Sequence, residues 1–317
     1  MIHPEILREA VMFSNLLVLM SIGLTLTYMT LKVPNFSHGD FATLGAYVAY
    51  TMYRLMGTGI VPTVPAAFLF SGIVALSLYY LVFRPLWRRG AGIVALMIAS
   101  IALEIAIRSC VHIYADVMTE ITPPSIFFRG FMITEEFVFV IGGMVLPGLL
   151  TLSTILVVVL VVSLYLLLTK TKFGIAMRAA IENPSLASTL GINVDLVYAV
   201  SWFLAGGLAG AAGALIPLYF PCNPESGWWF LLRIFTVTIL GGLSGLWGTI
   251  VAGYIVGFSE VIGIYLLSQP PISLSTAYRP AIALFILIVT LLVAPRGLSG
   301  IEWEQVAFSI RKRFGGG

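Results

Sequence analysis

The sequence predicts an all-α, polytopic integral membrane protein with about nine transmembrane helices, within a range of roughly 8–10. Three observations predict this class. Of the 317 residues, 59% are hydrophobic and only 10% are charged, whereas soluble domains carry roughly 25% charged residues. The mean hydropathy is +1.03, and apolar runs long enough to cross a bilayer recur along the chain. Together these observations exclude an ordinary soluble enzyme.

A helix needs about 20 apolar residues to cross a hydrocarbon core about 30 Å thick. By this criterion the candidate spans are 10–31, 41–56, 62–83, 91–113, 137–168, 194–218, 229–243, 247–267 and 279–295. The second and seventh are short and contain glycine, so either is a candidate for a broken or re-entrant helix. We expect 1–317 to form one transmembrane domain without a cleavable signal peptide.

The basic residues predict the orientation, because cytoplasmic loops retain Lys and Arg. With the C-terminus inside, the inner segments hold eleven of the seventeen basic residues: Lys32, Arg84, Arg88, Arg89, Lys170, Lys172, Arg178, Arg296, Arg311, Lys312 and Arg313. Seven acids fall on the outer side: Glu5, Glu9, Asp116, Glu120, Glu135, Glu136 and Glu225. We therefore expect a multi-pass protein of the cell (plasma or inner) membrane, with the N-terminus outside and the C-terminus in the cytoplasm.

Several classes of chemistry lack their residues in this chain. The net charge of +3 is too small and too scattered to indicate a nucleic-acid partner. No lysine follows glycine as a P-loop requires, and no His-Glu-x-x-His or Gly-x-Ser-x-Gly motif is present. We expect no catalytic residue, no cofactor and no metal site, and therefore no enzyme activity in this chain, whose energy source is then a gradient or another polypeptide.

The inner segment 169–193, which we call the knuckle, is long, polar and able to form helix. Its residues 174–182 fit one short amphipathic helix, with Ile175, Ala179 and Glu182 near one another. The Asn-Pro-Ser sequence at 183–185 stops this helix and caps a second one at 186–190, which Gly191 closes. The pattern predicts a rigid pair of short helices between two long spans.

The knuckle resembles the cytoplasmic loop of permease subunits of ABC importers. Its Met-Arg-Ala-Ala at 177–180, Asn-Pro at 183–184 and Leu-Gly-Ile-Asn at 190–193 are most similar to the high-affinity branched-chain amino acid permeases. The stretches 23–28, 33–47, 239–253 and 294–298 carry the same resemblance, so it covers nearly the whole chain. Trp228 and Trp229 are bulkier than the family pattern leads us to expect, which leaves the substrate open.

The resemblance implies an ABC importer permease fold and a set of partners. These are a homologous permease subunit in a homo- or heterodimer, two ATPase subunits, an extracytoplasmic solute-binding protein and membrane lipid. The knuckle is then the coupling loop that seats in the ATPase, because a short helix docks readily in a groove. The residues assigned to ATPase coupling are Gly174, Met177, Arg178, Ala179, Glu182 and Gly191.

Ionisable residues inside the spans are candidates for either the permeation path or structural packing. Glu104 and Arg108 stand four residues apart, acid first, so each can neutralise the other. Glu260 has no evident partner in the sequence, and we expect it to face a cavity. Ahead of the second span, Asn35, Ser37 or Asp40 is placed to cap the helix.

Three functional interpretations compete at this stage. The favoured one is the permease subunit of an ABC importer that translocates branched-chain or related amino acids delivered by a solute-binding protein. A urea or short-amide ABC permease is a close alternative. The third is an ion-coupled secondary transporter that acts alone, although the chain offers few buried acids for ion coupling.

Overall fold

The computed structural model describes residues 3–123, 128–134, 137–141, 144–243 and 245–300. The C-terminal cluster Arg311, Lys312 and Arg313, and the outer acids Glu135 and Glu136, lie outside the described residues. Within the described part the prediction of an all-α protein is confirmed, since one two-stranded hairpin, Val138–Ile141 (β1) with Met144–Pro147 (β2), is its whole sheet content.

Helices make up most of the described chain. They are α1 (Pro4–Leu31), α2 (His38–Leu55), α3 (Ile60–Leu78), α4 (Arg84–Arg88), α5 (Ile93–Ile121), α6 (Gly148–Lys170), α7 (Lys172–Glu182), α8 (Pro184–Thr189), α9 (Val194–Leu215), α10 (Ser226–Gly241), α11 (Leu246–Ser268) and α12 (Arg279–Val293). A π-helical turn, Tyr79–Phe83, joins α3 to α4. This widened turn precedes Pro85, which lacks the N–H that a regular α-helix needs there.

The expected count of nine spans is not met among the described residues. Seven helices are long and apolar enough to cross a membrane. The two exceptions are α2, with 18 residues, and α10, with 16 residues. These are the second and seventh candidates, whose shortness the sequence already indicated. The nine predicted segments thus each contain a helix, but two of the helices fall short of the spanning criterion.

Helices α1 and α9 form the centre of the bundle. Both are buried on all sides along most of their length, whereas α5, α6 and α12 expose apolar side chains such as Ile105, Val158 and Leu292. A helix that is apolar all round belongs in a protein core, and one with an exposed apolar face at membrane depth meets lipid or another subunit.

Glycines allow the central helices to approach closely. A Cβ at Gly210 of α9 would lie 2.5 Å from the carbonyl oxygen of Ala67 in α3, and one at Gly257 of α11 would lie 2.2 Å from Ser14 Oγ in α1. Gly206 and Gly253, the other members of these Gly-x-x-x-Gly pairs, face the same neighbours. The motifs therefore serve packing inside the subunit.

Helix α2 begins inside the bundle rather than at its end. After α1 ends at Lys32 in the left-handed region (φ 56°), the chain turns back, and His38 Nε2 lies 2.8 Å from the carbonyl oxygen of Met20. Met20 is 11 residues before the last residue of α1, so α2 starts about 16 Å back along that helix. The first turn of α2 is thereby placed at depth.

Candidate functional site

The knuckle forms the two short helices that the sequence predicts, α7 and α8. Thr171 Oγ1 accepts a hydrogen bond from Gly174 N at 3.1 Å, and Asn183 Oδ1 accepts one from Leu186 N at 3.0 Å. Asn193 caps α9 in the same way. Gly191 follows α8 with φ +82°, the left-handed conformation expected of a residue that closes a helix. The predicted stop, cap and closure are confirmed.

Three of the proposed coupling residues face the protein. Gly174 contacts α6 so closely that a Cβ would lie 2.1 Å from the carbonyl oxygen of Leu168. Met177 is buried against α9, where Ser201 Oγ lies 3.9 Å from its sulfur. The Arg178 guanidinium, although exposed, donates a hydrogen bond to the Leu168 carbonyl at 3.1 Å. Gly174 and Arg178 thus attach the knuckle to the end of α6, and Met177 packs it against α9.

The outward face of the knuckle is partly apolar. Ala179 is half-buried and Glu182 is exposed, while Ile175, Leu186 and Leu190 are 59%, 57% and 72% exposed. Sequence analysis did not single out Leu186 and Leu190, although apolar residues in a short polar loop were the available signal. Together these side chains present a surface of the kind that enters a groove on a partner.

We call the end of the bundle that carries the knuckle the knuckle end, and the opposite end the loop end. At the knuckle end, a salt bridge joins α9 to α4. Asp195, in the first turn of α9, pairs with Arg84 at 2.9 Å and also with Arg88. Tyr198 hydroxyl lies 3.4 Å from the Ala180 carbonyl of α7. A displacement of the knuckle would therefore reach both α4 and α9.

A second group of polar residues lies on α5. The predicted pair is present: Glu104 and Arg108 form a salt bridge along one face of the helix. The guanidinium of Arg108 lies 5.3 Å from the ring centroid of Trp228, at the start of α10, and acts electrostatically on the carboxyl of Asp40 in α2. The structure thus brings together four residues from three helices, which we call the α5 cluster.

Contact between two glycines positions the α5 cluster. A Cβ at Gly39 would lie 2.2 Å from the carbonyl oxygen of Gly227, and Thr43 Oγ1 accepts a hydrogen bond from Gly227 N at 2.8 Å. Because the backbones of α2 and α10 touch here, Asp40 and Trp228, each next to one of these glycines, reach the same face of α5. From the sequence alone, Asp40 is a candidate only for a helix cap, and Trp228 is only a departure from the family pattern.

The capping expectation for α2 is wrong for Ser37 and Asp40. Ser37 stands at the N-cap but makes no side-chain cap hydrogen bond, and neither Asp40 carboxylate oxygen has a hydrogen-bond partner among the described residues. Asn35 Oδ1 instead accepts hydrogen bonds from the backbone N and hydroxyl of Ser37. The Asp40 carboxylate is thus left for another role.

The cluster belongs to a polar stripe, a line of polar residues at every fourth position of α5 that winds around the helix by about 40° at each step. Each member has a partner outside α5 or in the cluster. Ser100 Oγ accepts from Phe36 N at 3.2 Å, His112 lies 3.3 Å from Glu225, and Asp116 pairs with Arg129 at 2.6 Å. The stripe comprises Ser100, Glu104, Arg108, His112 and Asp116. It continues from the cluster toward the loop end.

Glu260 does not face a cavity, contrary to expectation. It is fully buried (0% exposed) and pairs with Arg233 of α10 at 3.0 Å and with Arg279 of α12 at 3.3 Å. Both arginines are distant in sequence, so the residue pattern of α11 alone does not predict these ion pairs. We call these three residues the Glu260 cluster. Among the described residues, no group of three His, Cys, Asp or Glu side chains is arranged to hold a metal ion.

Comparison with known families decides the class of the chain. The family model described as the permease component of branched-chain amino acid transport systems matches residues 6–294. The chain belongs to this family. The match covers both the knuckle and the α5 cluster of the permease.

Curated relatives of the permease match over nearly their full length. A probable branched-chain amino acid transport permease protein LivH of Methanocaldococcus jannaschii is 40% identical over 301 residues, 95% of this chain and 94% of the relative. The high-affinity permease proteins BraD of Pseudomonas aeruginosa and LivH of Escherichia coli are 27% and 28% identical, each over 89% of this chain and 91% and 90% of their own lengths. No solved structure matches the permease significantly.

Proposed function

We propose that this permease is the transmembrane subunit of an ABC importer that translocates branched-chain amino acids delivered by a solute-binding protein. The observation that carries the proposal is the end-to-end match to LivH of Methanocaldococcus jannaschii. The matched family favours this function over the short-amide permease and the ion-coupled transporter that the sequence alone leaves open. The subunit supplies the path and performs no covalent chemistry.

The proposed assembly contains a homologous permease subunit, two ATPase subunits and an extracytoplasmic binding protein. In this assembly the N-terminus lies outside, the C-terminus lies in the cytoplasm, and the knuckle end faces the ATPases. The exposed apolar side chains of the knuckle, Ile175, Leu186 and Leu190, support this placement, because they form a dockable surface at one end of the bundle.

The proposed mechanism is alternating access driven through the knuckle. The caps at Thr171, Asn183 and Asn193 make α7 and α8 a stiff unit, and Gly174 and Arg178 attach that unit to α6. Closure of the ATPases then moves the knuckle ends of α6 and α9 as one unit, and this movement shifts the packed helices relative to one another.

The test uses the complete complex in proteoliposomes, with ATP hydrolysis and amino acid uptake measured together. We expect Arg178→Glu and Ala179→Trp to retain hydrolysis and to lose most uptake, because both alter the seat of the knuckle without touching the helix core. Arg89→Glu, the same charge reversal at the knuckle end but off the knuckle, is the matched control and should transport normally.

Two outcomes would contradict the proposal. Uptake by the wild-type complex that continues without ATP would remove the ABC importer assignment. Normal coupling in both knuckle variants would remove the coupling role of 169–193 while leaving the transported substrate untouched.

A further inference from the structure

We propose that the α5 cluster, Asp40, Glu104, Arg108 and Trp228, is a recognition site for the zwitterionic headgroup of the transported amino acid. In this site Asp40 accepts hydrogen bonds from the α-ammonium group and Arg108 donates to the α-carboxylate. The inference rests on the proposed function, since it concerns the substrate of that same path.

Unused hydrogen-bonding capacity at buried atoms is the first argument. Asp40 is only 1% exposed, yet neither of its carboxylate oxygens has a hydrogen-bond partner among the described residues. The Arg108 side chain is 22% exposed, but its Nε atom is buried and has no hydrogen-bond partner within the same part of the chain. A buried polar group without a partner is costly, so such groups are retained where another species supplies the partner.

The chemistry of the unused groups matches an amino acid headgroup. A carboxylate accepts from an ammonium group, and a guanidinium donates to a carboxylate, both as charge-assisted hydrogen bonds. Glu104 occupies one side of the Arg108 guanidinium and so holds it in place. Two acids against one base favour a ligand that carries a positive group, so a simple carboxylic acid anion is a poor fit.

Trp228 provides an apolar wall next to this polar pair. Its ring stands 5.3 Å from the Arg108 guanidinium carbon and is about half exposed, so it borders the cluster without filling it. An indole ring contributes a large apolar surface, suited to an aliphatic side chain, and holds the guanidinium through a cation–π contact. The large side chain of Trp228 thus contributes to substrate selection, because it contacts the aliphatic side chain of the amino acid.

The stripe connects the cluster to the loop end. His112 and Asp116 follow Arg108 on successive turns of α5, and their side chains are 45% and 53% exposed. From Arg108 to Asp116 the helix rises about 12 Å. Charged residues at membrane depth face protein or water rather than lipid. The stripe therefore offers a polar route by which a zwitterion reaches the cluster.

The first test measures ligand binding by the shift in thermal unfolding of the purified complex without its binding protein. The probes are leucine, leucinamide, which lacks the carboxylate, and 4-methylpentanoate, which lacks the ammonium group. For the wild-type complex we expect leucine to raise the unfolding temperature most, leucinamide less and 4-methylpentanoate least. Asp40→Asn should weaken leucine binding by about tenfold, so that leucine binds no more tightly than 4-methylpentanoate. Arg108→Gln should make leucine bind no more tightly than leucinamide.

A charge swap separates recognition from a structural ion pair. Glu104→Arg combined with Arg108→Glu keeps an oppositely charged pair four residues apart but exchanges its ends. If the pair only stabilises α5, the double variant binds leucine as the wild type does. If the cluster recognises the headgroup, leucine binding stays at least about tenfold weaker, because the guanidinium donor then lies one helical turn away from its wild-type position.

Uptake by the complete complex provides the second readout. Asp40→Asn should lower maximal uptake with little change in thermal stability. Glu260→Gln, the matched acid-to-amide change at a buried acid outside the cluster, should lower thermal stability while uptake per folded complex stays within about twofold.

The outcomes distinguish this inference from the proposed function. A wild-type complex that imports no branched-chain amino acid with ATP would overturn the function, and the site with it. A wild-type complex that imports leucine, together with wild-type leucine binding in Asp40→Asn and Arg108→Gln, would overturn the site alone. An equal loss of binding of all three probes in every variant would also overturn the site, because a general disturbance of α5 would not distinguish ligands by their charged groups.

Discussion

Two buried acids in this permease, Glu260 and Asp40, have opposite surroundings. The carboxylate of Glu260 is held by two arginines, and Arg279 also stacks on Phe13, with its guanidinium carbon 3.9 Å from the ring centroid. The carboxylate of Asp40 lies near Arg108 but receives no hydrogen bond from the described residues. The comparison teaches that burial alone does not distinguish the two acids, whereas the hydrogen bonds accepted by each carboxylate do.

The Glu260 cluster has a structural purpose that its partners reveal. Arg233 lies on α10, Glu260 on α11 and Arg279 at the start of α12, so one carboxylate joins three consecutive helices. Aromatic rings of Phe13, Phe220 and Phe230 surround the two guanidinium groups. Both oxygens of the Glu260 carboxylate accept hydrogen bonds, and the unused capacity in this cluster is a donor, Arg279 Nη2, which has no hydrogen-bond partner among the described residues.

The largest expected effect comes from opening the Glu260 cluster. Glu260→Gln leaves Arg233 and Arg279 buried without a countercharge, and breaking a buried ion pair in this way costs about 3–5 kcal/mol. We expect a marked fall in the yield of assembled complex and in its unfolding temperature in detergent. An unchanged unfolding temperature would show that the two clusters do not differ as described.

A much smaller effect is expected for the stability of Asp40→Asn. The carboxylate accepts no hydrogen bond from the described residues, so the amide loses none, and removal of a buried charge offsets the lost attraction to Arg108. We expect the free energy of unfolding to change by less than about 1 kcal/mol. The same thermal measurement, run beside Glu260→Gln, makes the comparison direct, and a loss as large as in that variant would make Asp40 a structural residue.

The smallest effect is expected at the exposed end of the stripe. Glu225 lies 3.3 Å from His112, and both side chains are nearly half exposed. This contact is an ion pair when His112 is protonated, and exposed ion pairs contribute at most about 1 kcal/mol and are screened by salt. Glu225→Gln should therefore shift the unfolding temperature only slightly, and less at high ionic strength. A large, salt-independent shift would mean that this end of the stripe is enclosed.

Features encoded locally were predictable from the sequence. The knuckle follows from Asn183-Pro184, which stops one helix and caps the next, and from Gly191, which adopts the left-handed conformation that closes α8. The Glu104 and Arg108 pair follows from spacing on one helix. Apolar length located nine helical segments, although α2, with 18 residues, is too polar and α10, with 16 residues, is too short to meet the spanning criterion.

Features that depend on contacts between distant helices were not predictable in this way. The partners of Glu260 come from positions 27 residues before it and 19 residues after it. Asp40 and Trp228 meet α5 only because Gly39 and Gly227 touch, and no periodicity within either helix encodes that contact. Helical spacing reports on one helix face at a time, so it cannot say which faces of different helices meet.

The half-depth start of α2 has a mechanical consequence. The turn that follows α1 returns the chain about 16 Å into the bundle before α2 begins beside Met20. Six residues, 32–37, connect the part of the proposed headgroup site on α2 to the end of α1, which lies near the knuckle end. A shift of this segment would therefore move the Asp40 carboxylate along the bundle without bending α1.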